Sequence, residues 1–600
     1  MFPSRARTIS TAFLLAIGLA ACGGSSGSSN SPTPPTTQNP CAATFATAEA
    51  DVPASPQATE DKRRAIDGNP RWRVLDALWL HRAQGRDRQP TLMPRPQLAD
   101  VGDVAIVQDE GDLVLPPNTF DLKTAGLRFT RNGSGGYDVR KIDATFRQTL
   151  GSPVPLSDDD SAPRNVQFAF SFYGRTQTAA FVNSDGNITF EEEDKASTER
   201  NVARLLTGPP RVAPFLADLD PSIGAGKIFV NAASDQYTVT WCSVRGFDSA
   251  ANVTAQVTLL PDGTIEMKYE TVALGDAVVG LSPGHTGEFK PVNLSDTGPT
   301  GGGGSAVGER FAASPQLDTV ALAQKFYRSH SDSYDQLILW TDTSVTTSGT
   351  FAYELTVANE VRGIGIDIFD ASEDFGSTGR RLRSLVVMDA LNKYPDDPAA
   401  KFLGENNTLS LLGQESGHRW LAFLEFKDHD GQRSDALLGR DLVHWSFFMN
   451  SDASVMEGNA IQDLGGGSFV TTAAVQRYSL LDQYAMGLVP DTEVPTFFYV
   501  ESPVNVTPSR TRSSAPQVGV TFSGTRRDVL IKDVTDVMGP RIPSAADSPR
   551  THRQAFIYLV SAGRSADTGL IAKIDRIRKA WEPFFMQATD QRMTLITRLQ

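Results

Sequence analysis

Short segments of alternating apolar and polar residues, separated by tight-turn signals, fill residues 167–284 and restrict this stretch to β structure. Residues 168–172 place phenylalanine at every second position, as the buried face of a strand requires. Two further segments read as hairpins, since residues 181–190 turn at Ser-Asp-Gly-Asn and residues 255–269 turn at Pro-Asp-Gly-Thr. The pattern predicts a β-rich domain at residues 161–295.

The order of these segments resembles the nidogen-like (NIDO) extracellular domain. The resemblance is carried by the first hairpin, an Ala-Pro-Phe-Leu-Ala-Asp-Leu-Asp segment, a Val-Thr-Trp segment, the second hairpin and a Val-Gly-Leu-Ser segment, at residues 181–190, 213–220, 239–241, 259–269 and 279–282. It implies an extracellular domain linked to cell–matrix adhesion, with a protein or a glycan as its ligand.

Acidic residues in this domain leave two interpretations open. Asp218 and Asp220 are two apart in a strand and point to one face, so they can hold a calcium ion together with backbone carbonyls. The alternative, which we favour, is that they cap turns and face water. The acidic run at residues 191–194 is expected to face solvent, with calcium or a basic partner as the other candidates.

The start of the chain predicts a lipoprotein. Residues 1–21 combine two arginines, an apolar run and a Leu-Ala-Ala ending, which is typical of a signal peptide. The Cys22 that follows makes the ending resemble a bacterial lipobox, which implies that Cys22 is lipidated after cleavage; an ordinary signal peptide with an incidental cysteine is the alternative. Residues 22–60 begin with a Gly, Ser, Pro and Thr-rich tether. We therefore expect a lipid-anchored envelope protein exposed to the periplasm or the cell surface. Gly23 stands where some lipoproteins carry the Asp that retains them at the inner membrane, so the resemblance favours the outer membrane over the inner one.

The net charge bears on the class of partner, and the cysteine content bears on possible disulfide bonds. Asp and Glu number 70 against 56 Lys and Arg, a formal net charge of −14, which argues against a nucleic-acid partner because phosphate binding needs a basic face. Besides Cys22 the chain has Cys41 and Cys242. In an oxidising envelope they can form a disulfide or remain two buried thiols, and the sequence does not decide between these.

The rest of the chain divides into three predicted parts. Residues 61–160 read as a helix followed by a β segment, and residues 296–308 contain four consecutive glycines typical of a linker. Residues 309–600 mix helical and buried-strand patterns and predict an α+β domain. The expected fold is thus multidomain, with a nidogen-like β domain followed by a zincin-like domain.

The predicted helix at residues 406–426 carries the candidate chemistry. Gln414-Glu415-x-x-His418 resembles the zinc-peptidase motif His-Glu-x-x-His with its first histidine replaced by glutamine. Residues four apart share a helix face, so the resemblance implies Gln414 and His418 as metal ligands and Glu415 as the general base. Met456 resembles the methionine of the turn beneath the metal in metzincin-type enzymes.

Because Gln414 replaces the first histidine of the motif, the sequence does not decide whether this domain is an active peptidase. An amide oxygen is a poor zinc ligand, so a further donor is needed. His444 is the preferred candidate, because His429 and Asp430 lie at a predicted turn tip. Zinc and calcium are the candidate ions. The predicted function is an envelope-anchored adhesion protein with a degenerate metallopeptidase-like domain; the alternative is an active metal-dependent peptidase.

Overall fold

The structure is a computed structural model that describes residues 40–45, 70–85, 99–196, 199–247, 249–287, 289–296, 300–301, 304–346 and 351–600. Residues Pro40–Gln600 form one unit. The predicted signal peptide, Cys22 and most of the tether lie outside the described residues. Within the described part, no helix combines the length and the apolar character needed to cross a membrane.

The helices are numbered in chain order. They are α1 (Pro70–Gly85), α2 (Val202–Thr207), α3 (Thr319–Tyr327), α4 (Thr408–Gly417), α5 (Leu480–Met486), α6 (Ile531–Met538) and α7 (Thr568–Ala588), with short 3-10 helices at Pro40–Phe45, Leu391–Lys393, Arg440–Leu442 and Asp491–Glu493.

Two mostly antiparallel sheets form a β sandwich, and the β-rich character predicted for this region is confirmed. In spatial order, the first sheet contains Thr300–Gly301, Tyr137–Ile142, Gly126–Arg131, Ile265–Val272, Asn252–Leu259, Tyr237–Gly246, Lys227–Ala232 and Ser152–Val154, with Leu219–Asp220 paired to Tyr237–Gly246. The second sheet contains Phe289–Pro291, Ala306–Phe311, Ala277–Ser282, Arg211–Leu216, Asn187–Thr189, Arg175–Asn183 and Ser161–Phe172. Side chains of both sheets, including Phe170 and Trp241, form one hydrophobic core.

Both hairpins expected in the sandwich are present. Val182 pairs with Ile188 in the first, and Leu259 pairs with Ile265 in the second. Gly186 lies at the first turn with a φ of 66°, a left-handed conformation that glycine adopts without strain. A side chain there would also collide with the backbone carbonyl of a neighbouring strand. The Ser-Asp-Gly-Asn turn is thus required both by backbone conformation and by close packing.

A third large sheet, which is mostly parallel, lies at the centre of the remaining chain. Its order is Val104–Gln108, Thr551–Val560, Gln336–Thr341, Ser384–Ala390 and Tyr353–Thr356, the last antiparallel, with Thr594–Ile596 paired to Thr551–Val560. Successive side chains of the four parallel strands Val104–Gln108, Thr551–Val560, Gln336–Thr341 and Ser384–Ala390 enter two different cores, one shared with α1 and α3 and one shared with α4 and α7. Helices therefore cover both faces, which is typical of an α/β arrangement rather than the α+β arrangement that the sequence predicted.

The β sandwich is inserted into the chain of this parallel sheet. Val104–Gln108 pairs in parallel with Thr551–Val560, so the chain enters the parallel sheet before it builds the sandwich. The strands within the segment predicted at residues 61–160 are thus divided between the parallel sheet and the sandwich. The predicted linker at residues 296–308 contains strand residues of the sandwich, Ala306 among them. A five-residue apolar strand looks the same in sequence whichever sheet it joins, which is why the pattern did not reveal this.

Smaller elements complete the described chain. A four-stranded antiparallel sheet has the order Asn459–Gly465, Ser468–Ala474, Thr521–Val529 and Phe497–Thr507, and two-stranded pairs join Val114–Leu115 to Gln316–Leu317, Ala358–Asn359 to Phe369–Asp370, and Phe426–Lys427 to Arg433–Ser434. Cys41 and Cys242 form a disulfide with their Cα atoms 5.4 Å apart, which resolves the alternative that the sequence left open.

Helix α1 bridges the sandwich and the parallel sheet. Its Val74 and Leu78 enter the core beneath the parallel sheet, whereas Trp79 packs in a cluster with α2 of the sandwich. Asp76 forms an ion pair with Arg310 at 3.5 Å, which adds a second link to the sandwich. The helix therefore lies between the two halves of the molecule, beside the cavity described below.

Candidate functional site

Helix α4 carries the Gln-Glu-x-x-His motif in a fully buried helix with a defined start. Asn407 caps the N-terminus and exchanges hydrogen bonds with Ser410 in a capping box. The helix ends at Gly417, with His418 as its C-cap, so it is shorter than the predicted helix over residues 406–426. The apolar residues that follow are buried in the core as non-helical chain, and apolar periodicity therefore did not mark the helix end.

Met456 lies against the end of α4. A Cβ placed on Gly417 would be 2.5 Å from the Met456 sulfur, so this glycine lets the methionine approach the helix backbone. The Tyr478 hydroxyl donates to the carbonyl of Gly413 at 2.6 Å from the same side. Met456 and Tyr478 thus hold the last turn of α4, which positions Gln414, Glu415 and His418.

Two buried imidazoles meet at this turn. The His418 and His444 rings lie 5.0 Å apart at 84°. Nδ1 of His418 donates to the carbonyl of Leu421 at 3.0 Å, and Nδ1 of His444 donates to the carbonyl of Arg440 at 2.8 Å. Each Nε2 therefore keeps its lone pair. Burial holds the pKa of both histidines well below the ordinary value, and His444 and Arg440 respectively lower them further by charge repulsion.

Two donors converge on Nε2 of His444. The Gln414 amide nitrogen and Nη2 of Arg440 each lie 3.1 Å from this atom. Nη2 of Arg440 also donates to Oε1 of Glu457 at 2.8 Å. The guanidinium group thus lies between an imidazole nitrogen and a carboxylate, the kind of position that a metal ion takes. The Gln414 carbonyl oxygen is buried and has no hydrogen-bond partner among the described residues.

Two buried carboxyl groups face the same space. Burial raises the pKa of Glu415 to about 8, an effect that Arg440 opposes and Glu354 reinforces. Burial likewise raises the pKa of Glu354 to about 7, although Arg73 and the Thr356 hydroxyl lower it. Glu354 and Glu415 are each only 5% exposed. Both carboxyls therefore take up a proton more readily than exposed carboxyls do, and a cation beside them favours their ionised form.

A cavity of about 490 Å³ connects these groups. Its floor is formed by Gln414, Glu415 and His418 of α4, and one wall is the edge strand Tyr353–Thr356 of the parallel sheet. Helix α1 and the sandwich close the other sides. A volume of this size is typical of small-ligand sites.

The zinc ion that the motif resemblance implies does not fit these contacts. His418 and His444 are oriented as metal-binding histidines are, with Nδ1 held by a carbonyl. However, Nε2 of His444 accepts from a cation, and a second cation at this atom would be strongly repelled. Glu415, His418 and His444 are not among the groups of three donor atoms lying within 4.8 Å of one another in the described chain.

The acidic residues of the sandwich are arranged differently from the calcium hypothesis. Oδ1 of Asp220 accepts from the backbone N–H of Ser222 at 2.8 Å and so caps a turn. Asp218 instead approaches Asp158 and Asp159, and Arg200 lies 3.3 Å from Asp218. The structure therefore does not bring Asp218 and Asp220 to a common ion. The favoured expectation that both face water is wrong for Asp220, which caps its turn while only 3% exposed.

The acidic run at residues 191–194 is only partly solvent-exposed. The Asp194 side chain is 8% exposed and pairs with Arg204 at 2.9 Å and with Arg211 at 2.6 Å. These ion pairs keep the pKa of Asp194 well below its ordinary value despite burial. The expectation that Asp194 faces solvent is wrong, because Arg204 and Arg211 pair with it and cover it. His429 is 41% exposed and lies 3.6 Å from Asp430 at a hairpin turn.

Comparison with known proteins identifies a family for the region that contains most of the β sandwich. Residues 136–322 match the NIDO-related family. The chain carries a NIDO-related domain. The match starts before the predicted boundary at residue 161 and extends past residue 295, as the sandwich does, although the sandwich strand Gly126–Arg131 lies before the matched range. No curated protein and no solved structure matches the chain.

Three residues of the site were missed in the sequence. Arg440 lies four residues before His444, but a single arginine carries no motif signal. Glu354 and Arg73 reach the cavity from an edge strand and from α1, which are distant from the motif in sequence. Only the tertiary fold places them beside Glu415.

Proposed function

We propose that this protein is a cell-envelope binding protein of the adhesion type, in which the NIDO-related domain contacts an extracellular protein or glycan. The family match at residues 136–322 supports this proposal. The sandwich is tied by the Cys41–Cys242 disulfide to the segment that follows the tether, which suits a domain exposed outside the cytoplasm.

The anchor in this proposal is a lipid on Cys22, in line with the lipobox-like sequence. A Cys22→Ala variant should leave the detergent phase in phase partitioning, or accumulate with its leader uncleaved. A variant that is processed and still partitions with detergent would contradict the anchor and leave the adhesion proposal to stand by itself.

The C-terminal region is proposed to be a metallopeptidase-like domain that no longer uses zinc. The single observation that carries this is the pair of hydrogen bonds to Nε2 of His444, from Gln414 and from Arg440, both at 3.1 Å. With these contacts, Arg440 supplies the positive charge next to His444 and Glu457 that zinc would otherwise supply.

Two measurements test the proposal. The purified full-length chain should bind at least one member of a panel of matrix proteins and glycans, and cross-links to that ligand should map to residues 136–322. A Glu415→Gln variant is the matched control and should bind equally well, because Glu415 belongs to the other part of the molecule. Absence of any ligand, or cross-links confined to residues 351–600, would contradict the adhesion function.

Zinc titration tests the second part. The wild-type chain should show no stoichiometric zinc binding in isothermal titration. If it does bind zinc and cleaves peptides, and if Glu415→Gln abolishes cleavage, the active-peptidase alternative replaces the degenerate-domain proposal.

A further inference from the structure

The cavity above α4 is rich in hydrogen-bond acceptors. Its lining includes the carboxyl groups of Glu354 and Glu415, the carbonyl oxygen of Gln414 and the imidazole of His418. The Gln414 oxygen is buried without a partner among the described residues, and this residue is only 4% exposed. An unsatisfied buried acceptor of this kind calls for a donor that enters the cavity.

Nearby donors are already engaged elsewhere. Arg440 donates to Glu457, Asp441 and His444. The Gln414 amide nitrogen is directed at His444. Nδ1 of His418 donates to a backbone carbonyl, so the nitrogen left for a ligand is an acceptor. The floor of the cavity therefore suits a group that carries several N–H donors and a positive charge.

Arg73 of helix α1 already supplies such a group from the opposite wall. It lines the cavity, and its guanidinium carbon lies 5.8 Å from the centre of the Tyr353 ring, next to Glu354. Its charge lowers the pKa of both Glu354 and Glu415 and that of His418, so all three lie within its electrostatic reach. A planar guanidinium with five donors matches carboxylate acceptors better than an ammonium does.

We infer that the cavity is a recognition site for an alkylguanidinium group, such as an arginine side chain of a partner polypeptide, and that Arg73 is its internal occupant. An incoming guanidinium donates N–H groups to Glu354 and Glu415 and a further N–H to the Gln414 oxygen, which has no partner among the described residues while Arg73 is in place. It stacks on Tyr353 in place of Arg73. Helix α1 thereby competes with an incoming ligand. The residues proposed to hold the guanidinium lie outside residues 136–322, although the NIDO-related domain contributes part of the cavity wall. The inference does not require zinc or an adhesion ligand, so it stands independently of the proposed function.

The test removes the guanidinium of Arg73 and adds a peptide that carries an arginine side chain. Arg73→Gln keeps part of the aliphatic stem over Tyr353 and removes the charge. The probe is the peptide acetyl-Gly-Arg-Gly-amide, with the citrulline peptide, which is neutral and of equal size, as the matched ligand. Arg71→Gln on the exposed side of the same helix is the matched protein control.

The Arg73→Gln chain should bind the arginine peptide at least about tenfold more tightly than wild type, since a site occupied internally nine-tenths of the time loses that factor in apparent affinity. Arg71→Gln should behave as wild type, the citrulline peptide should not bind, and adding Glu354→Gln should abolish the gain. Agmatine binding as tightly as the peptide would assign the site to free alkylguanidines, and weaker agmatine binding would assign it to polypeptide arginines.

Three results would overturn the inference: no binding of either guanidinium probe by the Arg73→Gln chain, equal binding by wild type, or equal binding of the citrulline peptide. If Arg73→Gln lowers the melting temperature, ethylguanidinium at millimolar concentration should restore it. Failure of that rescue in a chain that binds neither probe would likewise refute an internal guanidinium site.

Discussion

The guanidinium of Arg440 should determine how tightly zinc binds when the His-Glu-x-x-His motif is rebuilt by mutation. Gln414→His alone restores the sequence His-Glu-x-x-His but leaves the guanidinium 3.1 Å from Nε2 of His444 and 2.8 Å from Glu457. We expect this single variant to bind zinc weakly. The double variant with Arg440→Ala should bind zinc tightly, because removing the guanidinium lets the two original histidines, the new one and Glu457 move toward one ion.

The size of the difference follows from Coulomb's law. A zinc ion about 2 Å from Nε2 of His444 would overlap the guanidinium nitrogen that lies 3.1 Å from the same atom, so Arg440 has to move away. With the guanidinium displaced to about 4 Å from the ion, charges of +2 and +1 still repel by about 8 kcal/mol at an effective dielectric constant of about 20. Structural zinc sites bind with about 10–16 kcal/mol, so this repulsion removes most of the affinity. The Arg440 side chain is 40% exposed and can rotate outward, so we expect at least about a thousandfold difference, which is about 4 kcal/mol.

Competition with a fluorescent zinc chelator measures both affinities on the full-length chain. Arg440→Ala without the histidine separates the effect of charge removal from that of the new ligand, and Arg477→Ala, an arginine 48% exposed and paired with Asp452, is the control for surface charge. If Gln414→His alone binds as tightly as the double variant, Arg440 does not exclude the metal. If the double variant fails to bind while retaining its melting temperature, the histidines do not converge.

Three further predictions concern stability. Replacing Cys41 and Cys242 by alanine opens a loop with a sequence separation of 201 residues, and chain entropy predicts a loss of about 5 kcal/mol in denaturant unfolding; an unchanged midpoint would mean that the bridge does not restrict the unfolded chain. Burial lowers the pKa of His552 from 6.5 to about 3, so its neutral form contributes stability that is full above pH 6.5 and falls away as the pH drops toward 3. Wild type should therefore lose about 3 kcal/mol relative to His552→Gln between pH 7 and pH 4.5, and parallel pH profiles would refute this. A fragment of residues 161–295 lacks the strands within residues 126–142, whose inner side chains lie in the sandwich core, and should show no cooperative melt, whereas extending it to both ends of the sandwich should restore one; a cooperative melt of the short fragment would contradict this.

Local features of the site could be predicted because they depend on neighbours in sequence. The spacing of Gln414, Glu415 and His418 predicted that they lie on one helix turn, and the structure places them on the last turn and C-cap of α4. His444, chosen from the sequence as the further metal ligand, has its ring 5.0 Å from that of His418, and its role as a ligand stays a prediction. The identity of the group between His444 and Glu457 could not be predicted. It is an arginine side chain whose direction depends on Glu457 and on the packing of a short 3-10 helix.

The sequence by itself determined the hairpins, the β-rich character of the NIDO-related region and the start of the motif helix, since turn residues, alternation and capping act over a few positions. Only the tertiary structure decided that Val104–Gln108 joins the C-terminal parallel sheet, that Cys41 meets Cys242, and that Arg73 and Glu354 enter one cavity. These outcomes depend on contacts between segments hundreds of residues apart. Such contacts are selected by the total burial and charge pairing of the folded chain, and these leave no periodic signal in any one segment.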